Sequence, residues 1–541
     1  MKVLPLFSLA LLLLVPGCAS PEEDDRPNVI IIMADDMGYS DISPYGGEIN
    51  TPNLQRLSDN GTRFTQFYNN ARCCPTRAAL LTGLYPHQAG VGHMTDDYGF
   101  DGYRGFLGDQ TATIAEVLGD AGYSTYMSGK WHVTKFMGHW NGVDSLKSKD
   151  TWPMQRGFDK FYGTILGAGS FYDPITLTHG NTPIEEVPED FFYTDAISDT
   201  ASTFIREHVS NDRDNPFFMY VSYTAPHWPL HAKEKDIELY EGRYNNGWDA
   251  VRDERHARMK TIGLLDDTWE LTPRDPRVPA WEELSEKDQT WYSKAMEVYA
   301  AQVDNMDQGI GNILEALEST GELDNTLILF LADNGGCAEI LSANWRGMFI
   351  PTETAAGDPI TVGNEFRDQM PGPEETYMSY GIGWANASNT PFRLYKHWVH
   401  EGGISTPLIV HWPKKFKGTG EFTHEPGHVV DLMATAVDVA GAEYPADKTP
   451  MAGKSLLPAL AKQAIDRDAI FWEHEGNRAV RQGKWKLVAQ HDQPWELYDI
   501  EADRSEMNNL AEIHPDRLAD MIAAYDTWAA ASLVRPWPAR Q

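Results

Sequence analysis

The sequence predicts an α/β fold, with a large mixed, mostly parallel sheet flanked by helices and a smaller C-terminal antiparallel sheet plus helix. Three observations lead there. Several short runs are apolar throughout and rich in β-branched residues, as strands buried on both faces are. Helical patterns alternate with those runs. Near the C-terminus the pattern changes to short strands separated by turn residues.

Taken in order, Lys2 precedes an apolar stretch, 3–15, too short to span a bilayer and ending in Val15-Pro16-Gly17-Cys18. This resembles a bacterial lipobox, though Pro16 is an imperfect fit, so 1–18 reads as a signal segment with Cys18 lipidated, plain signal-peptidase cleavage being the alternative, and the acidic stretch 19–27 reads as a tether. Export to the periplasm or cell surface follows as an expectation. The run 28–34 is the first strand and stops on Asp35-Asp36-Met37-Gly38. A helix is expected at 113–121, then a strand at 122–128 that stops on Gly129-Lys130-Trp131-His132. A helix at 196–208 leads to a strand at 217–224 and Ala225-Pro226-His227. The long helical pattern 291–320 precedes a strand at 327–332 that stops on Asp333-Asn334-Gly335-Gly336, and 407–412 is a fifth strand. After Gly453 come strand-like runs at 469–472, 477–482, 484–489 and 496–499, with Gly483 as a turn, and a helix at 515–530. The catalytic domain is therefore drawn at 28–462 and an α+β subdomain at 463–541. There is no internal repeat.

In open parallel sheets the ligand crevice lies beyond the carboxyl ends of the strands. Four strands that run apolar and then stop on charged residues should bring that chemistry to one place. Asp35, Asp36, Asp333 and Asn334 offer only oxygen, a donor set suited to Ca²⁺ or Mg²⁺ rather than zinc.

The segment Ala71-Arg72-Cys73-Cys74-Pro75-Thr76-Arg77-Ala78-Ala79-Leu80-Leu81-Thr82-Gly83 sets a cysteine just before a helix start. Unpaired amides and the helix dipole there favour anions and depress a thiol pKa. This run closely resembles the sulfatase signature C-x-P-x-R, in which the cysteine is oxidised after synthesis to formylglycine. Gly122-Tyr123-Ser124-Thr125-Tyr126-Met127-Ser128-Gly129-Lys130-Trp131-His132 resembles the second signature of that family. His227 and Lys396 match two further family positions. The stretch 381–396 looks like bacterial arylsulfatases of the Pseudomonas type.

The resemblance implies an alkaline-phosphatase-like fold and calcium-dependent hydrolysis of sulfate monoesters. Cys73, Arg77, Lys130, His132, His227 and Lys396 would be catalytic; Asp35, Asp36, Cys73, Asp333 and Asn334 would hold one Ca²⁺. It also implies a hydrated aldehyde at residue 73 as nucleophile, His227 or Lys396 protonating the leaving oxygen, and His132 as base. A formylglycine-generating maturation enzyme is then a required partner, and a sulfated small molecule or glycan the substrate.

A net charge of −34 argues against nucleic acid or an anionic membrane surface as partner, leaving membrane attachment only to a lipid at Cys18. Seventeen Trp and 23 Tyr suit sugar binding as well as core packing. Beyond Cys18, the cysteines Cys73, Cys74 and Cys337 form no disulfide framework. His231 and His400 read as structural histidines. The segments 233–287 and 337–380 are expected to wall the pocket, with His93, Trp345 and Arg346 as candidates for that wall. Two other readings stay open on sequence: a phosphomonoester or phosphonate hydrolase of the same superfamily, and a non-catalytic glycan-binding lipoprotein.

Overall fold

The computed structural model describes residues 25–135, 149–345, 347 and 349–539. The signal segment with Cys18, the tether up to residue 24, and Arg346 lie outside the described residues. No described helix is long and apolar enough to cross a membrane.

The strands, in chain order, are β1 (Asn28–Ala34), β2 (Thr62–Tyr68), β3 (Ser124–Gly129), β4 (Lys160–Thr164), β5 (Leu177–His179) and β6 (Thr182–Pro183). Then come β7 (Phe217–Ser222), β8 (Thr326–Ala332), β9 (Thr361–Val362), β10 (Thr376–Tyr377), β11 (Ser405–His411), β12 (Glu421–Thr423) and β13 (Gly427–His428). The last four are β14 (Ile470–His474), β15 (Asn477–Gln482), β16 (Trp485–Ala489) and β17 (Glu496–Asp499).

The main sheet runs β12-β2-β11-β8-β1-β7-β3-β4-β5-β6, with β13 also paired to β2. From β8 through β1, β7 and β3 to β4 every pairing is parallel. Ala34 pairs with Ala332, and Met33 and Gly129 both pair with Ser222, so these strands end level. The fifth expected strand, β11, runs antiparallel to both β8 and β2. Its first residues therefore lie at the end where β2 and β8 finish.

Each central strand splits its apolar side chains between two cores. Ile30, Ile32, Met219, Val221, Ile328 and Phe330 share one core with side chains of the helices Tyr193–Asn211 and Glu286–Thr320. Val29, Ile31, Phe218, Tyr220, Leu327 and Leu329 share the other with the helices Cys73–Thr82, Ile114–Asp120 and Asp431–Ala440. A strand covered on both faces has no polar side, which is why these runs are apolar throughout. Thr113 caps the second of those helices with a reciprocal Glu116 capping box.

The strand β2 escaped the sequence reading because it carries Thr62, Arg63, Thr65 and Gln66. Their polar groups are satisfied by loops: Arg63 donates to the carbonyls of Pro44 (2.9 Å) and Gly420 (2.6 Å), and Gln66 to that of His424 (2.9 Å).

The C-terminal strands form an antiparallel sheet, β14-β15-β16-β17, packed with the helix Pro515–Ala531. A buried ionic knot ties this sheet to the main domain. Lys486 Nζ lies 2.7 Å from Glu401, which also receives Ser405 Oγ at 2.8 Å and Arg504 Nε at 3.2 Å. Burial alone would raise the Glu401 carboxyl, but Lys486 and Arg504 hold it down at about 2. The folded value lies below the ordinary 4.5, so this contribution to stability is complete above 4.5 and is lost as pH falls from there through about 2. Lys486→Met should cost about 3–5 kcal/mol at neutral pH by leaving a buried carboxylate short of charge. Denaturant unfolding across that acid range should then show a shallower loss in the variant. An unchanged slope would remove Glu401 from the account.

Candidate active site

The site is assembled where β1, β8, β7 and β3 end. Immediately after β1, Asp36 adopts a left-handed conformation (φ 64°), and its amide donates to Asp333 Oδ1 at 3.1 Å. Across from it, Asp333 follows β8, with its own amide on Ala34 O at 3.1 Å. Gly129 ends β3 with φ 113°, and a Cβ there would fall 1.9 Å from the Ser222 carbonyl. Only glycine lets β3 approach β7 this closely, and the next amide, Lys130 N, donates to that same carbonyl at 2.7 Å.

Cys73 opens the helix Cys73–Thr82 rather than preceding it: Arg72 is the extended N-cap residue (φ −151°), and Thr76 N donates to Arg72 O at 3.0 Å. Gly83 closes that helix in the left-handed region (φ 67°).

All the sequence-predicted site residues are buried, the most exposed being His132 at 7%. The structure brings them together in two linked groups. Arg77 Nη2 donates to Asp333 Oδ2 at 2.8 Å and lies 3.5 Å from Asp35, while Nη1 bonds the Lys130 carbonyl (3.1 Å) and Ser222 Oγ. Lys130 Nζ is paired with Asp35. Beside them, Lys396 Nζ donates to Asp36 Oδ2 at 2.8 Å and sits 3.3 Å from His227 Nε2, which is itself 3.3 Å from Asp36. Asn334 Nδ2 donates to Asp36 Oδ1 at 2.7 Å.

Asp35 Oδ1 and Asn334 Oδ1 are buried without any hydrogen-bond partner. Such orphan oxygens are costly unless something positive meets them. With Asp36 and Asp333 they make an oxygen-only set, and Asp35 and Asp36 offer carboxylate atoms within 4.8 Å of each other. The residues present fit a hard divalent cation such as Ca²⁺.

Electrostatics divides the acids and bases further. Burial and the charge of Asp35 push the Asp333 carboxyl well above its ordinary value. Burial and Lys130 bring His132 down to about 4, so its ring is neutral near pH 7. A hydrogen bond from Cys74 draws the Cys73 thiol well below its usual value against the effect of burial, with Lys130 and His132 adding to the shift. Cys74 thus meets the Cys73 thiol directly. Its adjacency to Cys73 was the only signal. All three described cysteines are free.

The rim was only partly legible. Cys337 to Tyr380 does lie against the site: Glu339 bonds Arg72 (3.0 Å) and Trp228 Nε1 (2.8 Å), and Trp345 meets the Trp228 ring edge-on at 5.9 Å. Glu339 and Arg72 were missed because nothing in sequence links positions so far apart. The segment 233–287 divides: 272–277 line a cavity with Arg393, Leu394, Tyr395 and Trp398, on the loop that carries Lys396, while other parts pack inward. Its Trp248 and Trp281 are buried among core aromatics, Arg255 is paired with Asp41 (2.6 Å) and Glu48 (2.7 Å), and Asp275 supports Tyr395 beside Lys396 (2.7 Å). His93 sits on Glu475 at 2.6 Å, beside His397. His231 is buried, bonds the Thr376 carbonyl at 2.8 Å, and is pushed by burial to about 3; His400 meets Glu496 at 3.2 Å.

Residues 27–442 match the Sulfatase family, and 392–523 match the N-sulphoglucosamine sulphohydrolase C-terminal family. The chain belongs to the sulfatase family. It is a sulfuric ester hydrolase. This sulfatase is 34% identical to an uncharacterized sulfatase of Schizosaccharomyces pombe, with 92% of this chain and 93% of the relative covered. It is 35% identical to an arylsulfatase of Klebsiella aerogenes, over 83% and 94% of the two chains. Among solved structures, Ps i-CgsB in complex with k-i-k-neocarrahexaose superposes with a TM-score of 0.66 at 26% identity, covering 93% of each chain. The mostly parallel sheet with its C-terminal antiparallel sheet is thus the architecture of solved sulfatases.

Proposed function

We propose that this sulfatase removes sulfate from a sulfated carbohydrate, using a formylglycine made from Cys73 and one Ca²⁺ held by Asp35, Asp36, Asp333, Asn334 and residue 73. The observation that carries the reading is the pair of unpartnered buried oxygens, Asp35 Oδ1 and Asn334 Oδ1, in a buried cluster that also holds Cys73, Arg77 and Lys130. A relative in complex with an oligosaccharide, and the tryptophans Trp228, beside His227, and Trp345, against Trp228, support a sugar as the esterified group.

Bound Ca²⁺ would add positive charge for the non-bridging sulfate oxygens, and formylglycine would supply the hydroxyl nucleophile. The chain's own residues do the rest. Arg77 and Lys130 are fixed by buried carboxylates and cannot swing away, so they present charge to the sulfate without reorganisation. His132, next to residue 73, is placed to take a proton from it. His227 and Lys396 lie together on the other side, where one of them can hand a proton to the leaving oxygen. A general acid or base of this kind contributes about 10²–10⁴-fold. His227→Ala should therefore lower kcat by that factor on a poor leaving group and by less on p-nitrophenyl sulfate, whose phenolate departs without help. Equal losses on both would remove His227 as the acid.

Three measurements test the reading. The tryptic peptide carrying residue 73, from protein made in an exporting host, should have the mass of an aldehyde or its hydrate; an intact thiol in active enzyme overturns the nucleophile. Chelation should abolish turnover and Ca²⁺ restore it. p-Nitrophenyl sulfate should be cleaved far faster than p-nitrophenyl phosphate, the family match having already disfavoured a phosphoesterase. We place the enzyme outside the cytoplasm as a lipoprotein, on the strength of residues 1–18 and Cys18. Labelling with a radioactive fatty acid, lost in Cys18→Ala, tests this.

A further inference from the structure

Where the C-terminal sheet meets the loop that carries Lys396 there is a second cluster of ligand-type side chains. His474 ends β14, Glu475 and Gly476 form the two-residue turn to β15, and His397 follows Lys396. One ligand atom from each of His397, His474 and Glu475 lies within 4.8 Å of the others. His397 Nδ1 is 3.1 Å and His474 Nε2 3.8 Å from Glu475. The imidazole of His474 is completely buried, and neither of its ring nitrogens has a hydrogen-bond partner. A neutral histidine always carries one N–H and one lone pair, so both being idle in the interior is costly. Glu475 (φ 51°) and His397 (φ 94°) are both held in the left-handed region, which non-glycine side chains avoid.

We propose that His397, His474 and Glu475 bind a transition-metal ion of the zinc class. Two imidazoles and a carboxylate are a set zinc accepts, and they contrast with the oxygen-only set at the catalytic centre. The outer contacts are those of a metal site: His93 Nε2 meets Glu475 at 2.6 Å and is itself steadied by Tyr98 OH at 3.0 Å. His397 and Glu475 retain some exposure, about 29% and 22% of their side chains, which leaves a solvent-facing position on the ion. Bound there, the metal would clamp the first hairpin of the C-terminal sheet to the segment holding Lys396.

The test uses full-length protein saturated with Ca²⁺, so that the catalytic oxygens are occupied. Zn²⁺ is added, the protein is dialysed, and metal is counted by elemental analysis; Co²⁺ reports the geometry through its visible absorption. One zinc per chain is expected, with Co²⁺ bands of a four-coordinate N/O site and a raised melting temperature. Glu475→Gln and His397→Ala should each bind at least about tenfold more weakly, and Zn²⁺ should no longer raise their melting temperature. Cys74→Ala should bind as the wild type does. Zinc retained in Glu475→Gln and His397→Ala but lost in Cys74→Ala would place the ion on the Cys73–Cys74–His132 group and overturn the proposal. Wild type that binds no zinc after Ca²⁺ saturation would overturn it equally.

Discussion

Cys73→Ser should reduce steady-state sulfate ester hydrolysis by about 10⁴-fold or more, the scale on which loss of a nucleophile is felt. Serine preserves the helix start: the N-cap role belongs to Arg72, and Thr76 and Pro75 are untouched. It keeps a hydroxyl that can attack once but lacks the second hydroxyl of a hydrated aldehyde. A single rapid release of nitrophenol from p-nitrophenyl sulfate, roughly stoichiometric with enzyme, followed by near silence is therefore the expected trace. Ca²⁺ binding and the melting temperature should stay close to wild type. Steady turnover within tenfold of wild type would mean that residue 73 is not the nucleophile.

Arg77→Met should be nearly as damaging to catalysis and far more so to stability. The guanidinium is wholly buried and reaches Asp333, Asp35, the Lys130 carbonyl, Tyr220 and Ser222. Methionine fills the space of the stem but leaves two carboxylates facing one lysine, a loss of about 3–5 kcal/mol for a broken buried pair. Added Ca²⁺ should recover much of that stability by placing charge on the same carboxylates. It should not recover turnover, because the donors aimed at the sulfate oxygens are gone. Parallel recovery of both would mean that Arg77 serves the fold and not the substrate.

These residues could be found in the sequence because the sheet does the assembling. Strands buried on both faces read as unbroken apolar runs, and their first polar residues necessarily sit at the strand ends. Asp35, Asp333, Lys130 and His227 were all found in this way, although Asp35 and Asp333 are nearly 300 residues apart. Elements that depend on loops for polar satisfaction gave no such pattern. Arg63 in β2 finds its acceptors in Pro44 and Gly420, and Glu339 finds Arg72 and Trp228, by tertiary contacts that no local period encodes. The composition of 233–287 pointed to a binding wall, yet its tryptophans serve packing, since aromatic residues suit cores and sugars alike. The turn Glu475-Gly476 was legible as a break between strands, but not that it would meet His397.

The burial of Cys73 carries a consequence of timing. Its side chain sits at the start of a helix sealed beneath β1, β7 and β8, and the residue is 2% exposed. Were the thiol oxidised to formylglycine as proposed, a catalyst would need access to it, and the folded chain leaves almost none. The window stays open while β8 and β11, encoded after residue 320, have yet to join the sheet, and it shuts when they do. If residue 73 is matured as proposed, activity would then depend on a race between the modifying enzyme and the closing sheet. On that reading a chain that folds first, however stable, would be left inert, so slower folding should raise the active fraction with no change in the active site itself.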